Sequence, residues 1–301
     1  MPAAPWISLT TDYGLADGFV AACHGVIATV APAARVIDVT HLVPPADVRR
    51  GATVLAQTVP YLPVGVHVAV VDPGVGTARR GVALATPRGL LVGPDNGLLL
   101  DAAEALGGVT GAVELTNPAW LAPQVSRTFH GRDIFAPVAA RLALGAPLVD
   151  AGPAVDPAAL VRLPEPVVRV DADGFTAEVL TVDHFGNVQL AAAADLLAGL
   201  PQTVRVTAPA SSAGDATASR PGVTDRAEPP TSDLTPRPGG PGVGDGAAGW
   251  SAVRGRTFGD APPGGLLVHT DSAGRVAIAV NTGRAVDLLG VAAGDLVRVS
   301  G

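Results

Sequence analysis

Residues Val66–Gly81 read VHVAVVDPGVGTARRG. The run HVAVV is short, β-branched and uncharged, which predicts a buried strand of a parallel sheet. It breaks at Asp72-Pro73-Gly74-Val75-Gly76-Thr77 and continues into Arg79-Arg80. A proline and two glycines directly after a buried strand force a sharp turn and let a ligand approach the backbone closely. In open α/β sheets, ligands bind beyond the carboxyl ends of the strands. Asp72 therefore stands where chemistry is usually done, with Arg79 able to fold back over the loop. Read without any chemistry, Asp72 closes a turn and Arg79 points into solvent.

The neighbouring segments fit the same plan. Trp6–Thr10 (WISLT) predicts a first strand that runs into the polar turn Thr11-Asp12-Tyr13-Gly14. Phe19–Val30 has helical apolar spacing and stops before Pro32. Ala34–Val39 predicts a second strand, followed by the loop at Thr40-His41. Asp47 is placed to cap a helix running to about Val59, before Pro60. Gly81–Ala85 and Gly89–Val92 predict a strand pair, closed by Gly93-Pro94-Asp95-Asn96-Gly97. Alternating strands and helices define an α/β domain with a mainly parallel sheet, expected over 1–165. Near its end, Thr128-Phe129-His130-Gly131-Arg132-Asp133 leads into an apolar helix, Ile134–Leu144. His130 and Asp133 sit at or just before its N-terminus, where backbone N–H groups can hold an anion; the plainer reading makes Asp133 a cap.

The pattern changes after Pro164. Alternating runs VVRVDADG and FTAEVLTVD flank an Asp-Ala-Asp-Gly hairpin signal. Asp183-His184-Phe185-Gly186-Asn187 follows, then Val188–Leu190. LLVHTDSAGRVAIAV, from Leu266, predicts another hairpin, and Asp295–Val299 a last strand. Short strands with glycine turns predict a small antiparallel β-barrel over 166–301. Within it, 207–252 is rich in Pro, Gly, Ser and Thr, with few large apolar residues. That composition predicts a disordered insertion.

The chain has 301 residues, 48% of them apolar and 16% charged, which suits a folded protein of two domains. Net charge is -7 and lysine is absent. An acidic chain without basic clusters argues against a nucleic-acid partner. The one cysteine, Cys23, excludes an intrachain disulfide and a cysteine-based zinc site. No stretch approaches the ~20 apolar residues of a membrane span, and no signal peptide is read at the N-terminus. A soluble, cytoplasmic protein is expected. Among His41, His67, His184 and His269 no pair has the i, i+4 spacing of a helical metal site, and no metal is expected. GVGTAR lacks the ending of a phosphate-binding Walker loop and the glycine spacing of a dinucleotide fingerprint.

Taken in order, TTDYG, DVTH, VDPGVGTARR, GPDNG, FHGRD and DHFGN resemble the S-adenosylmethionine (SAM) hydrolases, or SAM hydroxide adenosyltransferases, relatives of the SAM-dependent fluorinases and chlorinases. The likeness covers the chain outside 207–252. It implies an N-terminal α/β domain, a C-terminal β-barrel, and a homotrimer holding SAM between one subunit's first domain and its neighbour's second. By resemblance, Asp72, Arg79 and His130 handle the water that attacks ribose C5′, releasing L-methionine and adenosine. Asp12 would bind the ribose hydroxyls; Asp183, Asn187 and Ser272 would grip the methionine end; Val280 and Asn281 would lie by the adenine. No cofactor is implied, since SAM is the substrate.

The departures bear on substrate choice. Halogenating relatives carry tyrosines where this chain has Asp72 and His130. A carboxylate repels a desolvated halide, whereas water gains from an acceptor, so hydrolysis is favoured. The fluorinase's tryptophan at the methionine end is Ala46 here, and an arginine beside its Ser272 equivalent is Ala273. A sulfonium is already a good leaving group, so the difficulty lies in placing water in line with C5′–S. Asp72 and His130 can both accept from water, His130 being the better matched to neutral pH; residue types alone do not choose between them. The alternatives are a non-catalytic SAM or adenosine sensor and a halogenase.

Overall fold

The structure, a computed structural model, describes residues 5–209 and 247–301. Contacts divide the chain into two compact units, Met1–Glu165 and Pro166–Gly301.

In the first unit the chain forms β1 (Trp6–Thr11), α1 (Phe19–Val30), β2 (Arg35–Thr40), α2 (Val48–Thr58), β3 (Val66–Val70), β4 (Gly81–Thr86), β5 (Gly89–Pro94), α3 (Leu100–Ala105) and β6 (Gly111–Glu114). A π-helical turn, Gly131–Phe135, then feeds α4 (Ala136–Ala143). The sheet order is β2-β1-β3-β5-β4-β6. The first four of these run parallel, and β4 runs against both β5 and β6. β3 is buried along its whole length. Its pleat sends Val66, Val68 and Val70 to the face covered by α1 and α4, and Ala69 to the face covered by α2 and α3. Each buried valine contributes on the order of 1.5–3 kcal/mol, so this central strand is firmly held where it delivers Asp72. α2 begins where Asp47 Oδ1 accepts from Arg50 N at 2.9 Å, a cap that satisfies one orphan donor of the first turn.

The second unit contains β7 (Val168–Val170), β8 (Gly174–Val182), β9 (Val188–Ala193), β10 (Thr203–Pro209), β11 (Ala247–Arg254), β12 (Leu266–Thr270), β13 (Arg275–Val280), α5 (Ala285–Leu289) and β14 (Leu296–Ser300). Pairing in the order β14-β10-β11-β12-β13-β9-β8, with β8 returning to β14, closes a seven-strand barrel. β7 adds to β8 outside the ring. Val179, Val188, Val206, Val268, Ile278 and Val299 fill the interior.

Three expectations need correction. The barrel is antiparallel except at β11–β12, which run parallel. The expected insertion 207–252 was drawn too wide. Thr207–Pro209 completes β10, and the residues from Ala247 onward form β11, paired from Pro209↔Ala247 to Thr203↔Val253. AAGWSAVR is too poor in large apolar side chains to announce a strand, yet Trp250 packs against the barrel core. Positions 210–246 lie outside the described residues. Finally, Asp133 is not a helix cap. It is buried, accepts from Ser126 N at 2.8 Å, and pairs with Arg132 Nε at 2.7 Å, so it fastens the loop leading to His130.

Candidate active site

Asp72 follows β3 and Val71 in a tight turn, with Val75 N donating to Asp72 O at 3.2 Å and Thr77 N to Gly74 O at 3.2 Å. Gly76 has φ +75°, and a Cβ there would stand 2.3 Å from Arg127 O. Only glycine lets this turn pass so close to the segment that carries His130. Asn96 Nδ2 donates to Val71 O at 2.9 Å and fixes the strand end from the other side.

Arg79 folds back onto Asp72 with two hydrogen bonds, Nε to Oδ1 at 3.1 Å and Nη2 to Oδ2. Both side chains are nearly enclosed, at 8% and 5% exposure. Arg79 Nη2 also reaches His130 Nδ1 at 2.9 Å. Arg80 turns away to the buried Asp95, with Nε–Oδ2 at 3.0 Å. Asp95 in turn accepts from Val161 N at 2.9 Å. The adjacent arginines thus divide the work: Arg79 gathers the candidate site, while Arg80 and the GPDNG loop hold structure.

The Arg79–His130 contact determines the imidazole's role. An arginine only donates, so His130 Nδ1 must accept, and the proton of the neutral ring sits on Nε2. Burial first, and then the Arg79 charge, hold His130 below the ordinary histidine range. His130 is therefore neutral at pH 7, with its one lone pair already engaged. Asp72 keeps lone pairs beyond those facing Arg79, since each carboxylate oxygen offers two. With Nδ1 engaged by Arg79, Nε2 carries the ring proton, and the backbone of Ser126 also bonds the ring.

Asp72 and His130 open onto a cleft of about 280 Å³, with Asp12, Tyr13, Ala46 and Thr128 also on its walls. Asp12 Oδ2 accepts from Ala46 N at 2.9 Å, which holds Ala46 at φ +64°, an uncommon conformation for a residue with a Cβ. The local turn is made by Thr11, whose Oγ1 accepts from Tyr13 N at 3.2 Å, and not by an Asx turn at Asp12.

Sequence reasoning missed the aromatic support. Phe129 packs edge-on against Tyr13 (5.6 Å between centroids) and Phe19 (5.2 Å), binding the His130 loop to α1. Gly131 leaves room for the Tyr13 hydroxyl, which would lie 1.9 Å from a Cβ. Scattered through the sequence, these aromatics give no periodic signal.

In the second unit, Asp183 accepts from Asn187 N at 2.9 Å and from Asn187 Nδ2 at 2.8 Å, in the turn between β8 and β9. Val280 and Asn281 end β13, where Asn281 Nδ2 donates to Ala261 O at 2.7 Å. Since Val188 pairs with Ile278, these four residues share one end of the barrel. Ser272 sits in the β12–β13 turn at the other end, beside Arg275, which pairs with Ala193. Five strand steps separate Arg275 from Val280, about 17 Å. The structure does not bring Ser272 to Asp183 and Asn187.

The chain thus combines a mainly parallel α/β unit, which carries an Asp–Arg–His cluster at a strand's carboxyl end, with a closed β-barrel. The chain matches the SAM hydroxide adenosyltransferase N-terminal domain over residues 7–152 and the C-terminal domain of the same name over 247–298. It is 66% identical to the (R)-S-adenosyl-L-methionine hydrolase of Salinispora arenicola, across 100% of this chain and 99% of that protein. A crystal structure of an uncharacterized conserved protein from Thermotoga maritima superposes with a TM-score of 0.80 at 34% identity, covering 98% of this chain and 100% of that one. A fluorinase of Actinoplanes sp. is more distant, 30% identical over 61% of this chain and 70% of its own length. The chain belongs to the SAM hydroxide adenosyltransferase family.

Proposed function

We propose that this chain hydrolyses S-adenosyl-L-methionine to adenosine and L-methionine, with Asp72, Arg79 and His130 handling the attacking water. The observation that carries the reading is Arg79, whose guanidinium joins Asp72 to His130 at the wall of the cleft that Asp12 also lines. Water's oxygen forms a bond to C5′ as the C5′–S bond breaks, and its electron pair passes to sulfur, turning the sulfonium into the thioether of methionine. The oxygen becomes strongly acidic as it bonds carbon, so a carboxylate paired with arginine suffices to take the proton, which Asp72 then gives to solvent. His130, donating from Nε2, orients the water or the ribose. Asp12 accepts from the ribose hydroxyls. No cofactor is needed, because the substrate brings its own leaving group.

The family likeness supports a homotrimer in which a neighbour's barrel completes the cleft. Along that barrel, Asp183 and Asn187 share the end of Val280 and Asn281, so we assign them to the adenine end and leave Ser272 to the methionine end. The Salinispora relative's name specifies R where L-methionine already fixes the α-carbon, so R describes the sulfonium sulfur. We propose the same preference here on the strength of the 66% identity to that relative.

The test is to incubate the protein with each sulfonium epimer, with and without chloride, and separate the products by chromatography. Adenosine and methionine, formed faster from the R epimer and lost in Asp72→Asn, are expected. SAM that stays bound but unchanged would replace the hydrolase with a sensor, and a 5′-chloro nucleoside would replace it with a halogenase.

A further inference from the structure

Beside the wall that carries Asp12, a second polar cluster plays no part in the reaction above. His24 comes from α1, Asp38 from β2, and His41 from the loop that follows β2. His24 Nε2 lies 2.9 Å from Asp38 Oδ1, and His41 Nε2 lies 3.1 Å from the same oxygen. One donor atom from each residue falls within 4.8 Å of the other two.

His41 is the informative member. It is 4% exposed, and its Nδ1 is engaged by Thr11 Oγ1 at 2.8 Å. Its Nε2 is buried, faces the cluster, and makes no hydrogen bond. The 3.1 Å approach to Asp38 is close enough for one, but its angle is not that of an N–H donating to a carboxylate. When Nδ1 carries the ring proton and donates to Thr11, the Nε2 lone pair faces a carboxylate oxygen, acceptor against acceptor. A cation between them resolves that conflict. The hydroxyl on the far ring nitrogen is the arrangement that orients metal-bound imidazoles and fixes their tautomer.

Two of the three donor separations, 2.9 and 3.1 Å to Asp38 Oδ1, match those around a small ion. Ligand bonds of about 2.0–2.1 Å place neighbouring donors roughly 2.9–3.4 Å apart in octahedral and tetrahedral sites. His24 and Asp38 are partly exposed, at 36% and 41%, so the outward coordination positions are open to water. Two imidazoles and one carboxylate suit borderline first-row ions, whereas magnesium and calcium favour all-oxygen sets.

We propose that His24, Asp38 and His41 form a binding site for a divalent first-row transition-metal ion. An ion there ties α1 to β2 and, through Thr11 and the Gly14 N–His41 O bond of 2.7 Å, to the turn that carries Asp12. Sequence reading missed the site because His24 stands 14 residues from Asp38, and the three-residue step from Asp38 to His41 does not mark a metal site by itself.

The experiment is calorimetric titration of untagged, chelator-treated full-length protein with Zn²⁺ alone, repeated with Co²⁺ under visible absorption. We expect one saturable site per chain. Zn²⁺ affinity should fall at least tenfold in His24→Gln and in Asp38→Asn, two surface substitutions that leave the core intact, and should hold in the control His184→Gln. A Co²⁺ d–d band should appear in the wild type and vanish in both variants. No saturable binding, or binding that both variants retain, would overturn the proposal and leave the cluster an ordinary histidine–carboxylate network.

Discussion

Arg79 holds two partners at once, and the two relationships separate under mutation. Arg79→Lys keeps the charge near Asp72 but loses the planar fork that reaches both Asp72 and His130. We expect kcat to fall at least tenfold with little change in KM, read from steady-state kinetics. Arg79→Ala leaves a nearly enclosed carboxylate without its partner and should also cost about 3–5 kcal/mol of stability in denaturant titration. Asp72→Asn removes the acceptor and should lower kcat by roughly 10²–10⁴. The tautomer of His130 sets a pH signature. Protonating His130 destroys its acceptance from Arg79 and puts two cations face to face. Its value lies below the ordinary 6.5, so activity should stay level as pH falls from 8 through 6.5 and decline only below that. An acid limb centred at or above 6.5 would mean that His130 titrates freely. Asp72, Arg79 and His130 were legible because their motifs are contiguous and chemically distinctive. The assignment of the ring proton was not, since it depends on which nitrogen meets Arg79 across 51 residues of chain.

At the scale of elements, β3 carries a histidine in the middle of an apolar sheet. His67 is 2% exposed, lies 2.9 Å from Ser8 Oγ through Nδ1, and is pushed by burial down to about 4 from 6.5. Between those values the unfolded chain binds a proton that the folded chain does not. The stability tied to this neutral ring is therefore complete above about pH 6.5 and is lost as pH falls towards 4, by about 3 kcal/mol. Chemical denaturation at pH 7 and pH 4.5 should show the loss in wild type, and His67→Gln should flatten it. The turn after β3 is equally specific. Gly76→Ala puts a methyl group 2.3 Å from Arg127 O in a left-handed conformation, and should shift the His130 segment, lowering activity more than tenfold. Elements with strong local signals were readable: α1 by its apolar spacing, α2 by the Asp47 cap, and β3 by its uncharged run. The short β6 and α3, the π-turn at Gly131–Phe135 and β11 were not. Each depends on packing partners far along the chain, which local composition does not reveal.

At the scale of the molecule, the barrel closes through strands on either side of positions 210–246. β10 ends at Pro209 and β11 begins at Ala247, and these two residues are direct partners across an antiparallel ladder. Their ends are already as close as a hairpin requires, so a two-residue Asn-Gly link, which favours the matching turn, can replace 210–246 without moving either strand. The full 207–252 deletion is a different experiment. It removes Thr207–Pro209 of β10 and Ala247–Ala252 of β11, takes away the partners of Val204, Arg205 and Val206, leaves only Val253 and Arg254 beside β12, and breaks into the ring that buries Val206 and Val268. We expect the short deletion to keep the melting temperature within a few degrees, the SAM hydrolysis rate, and the same mass in light scattering as the undeleted chain. The long one should lose the cooperative transition and the assembled mass together. Loss of activity in the short deletion with an unchanged melting curve and mass would assign 210–246 a part in catalysis, and survival of the long deletion would mean the barrel does not need β11 to close.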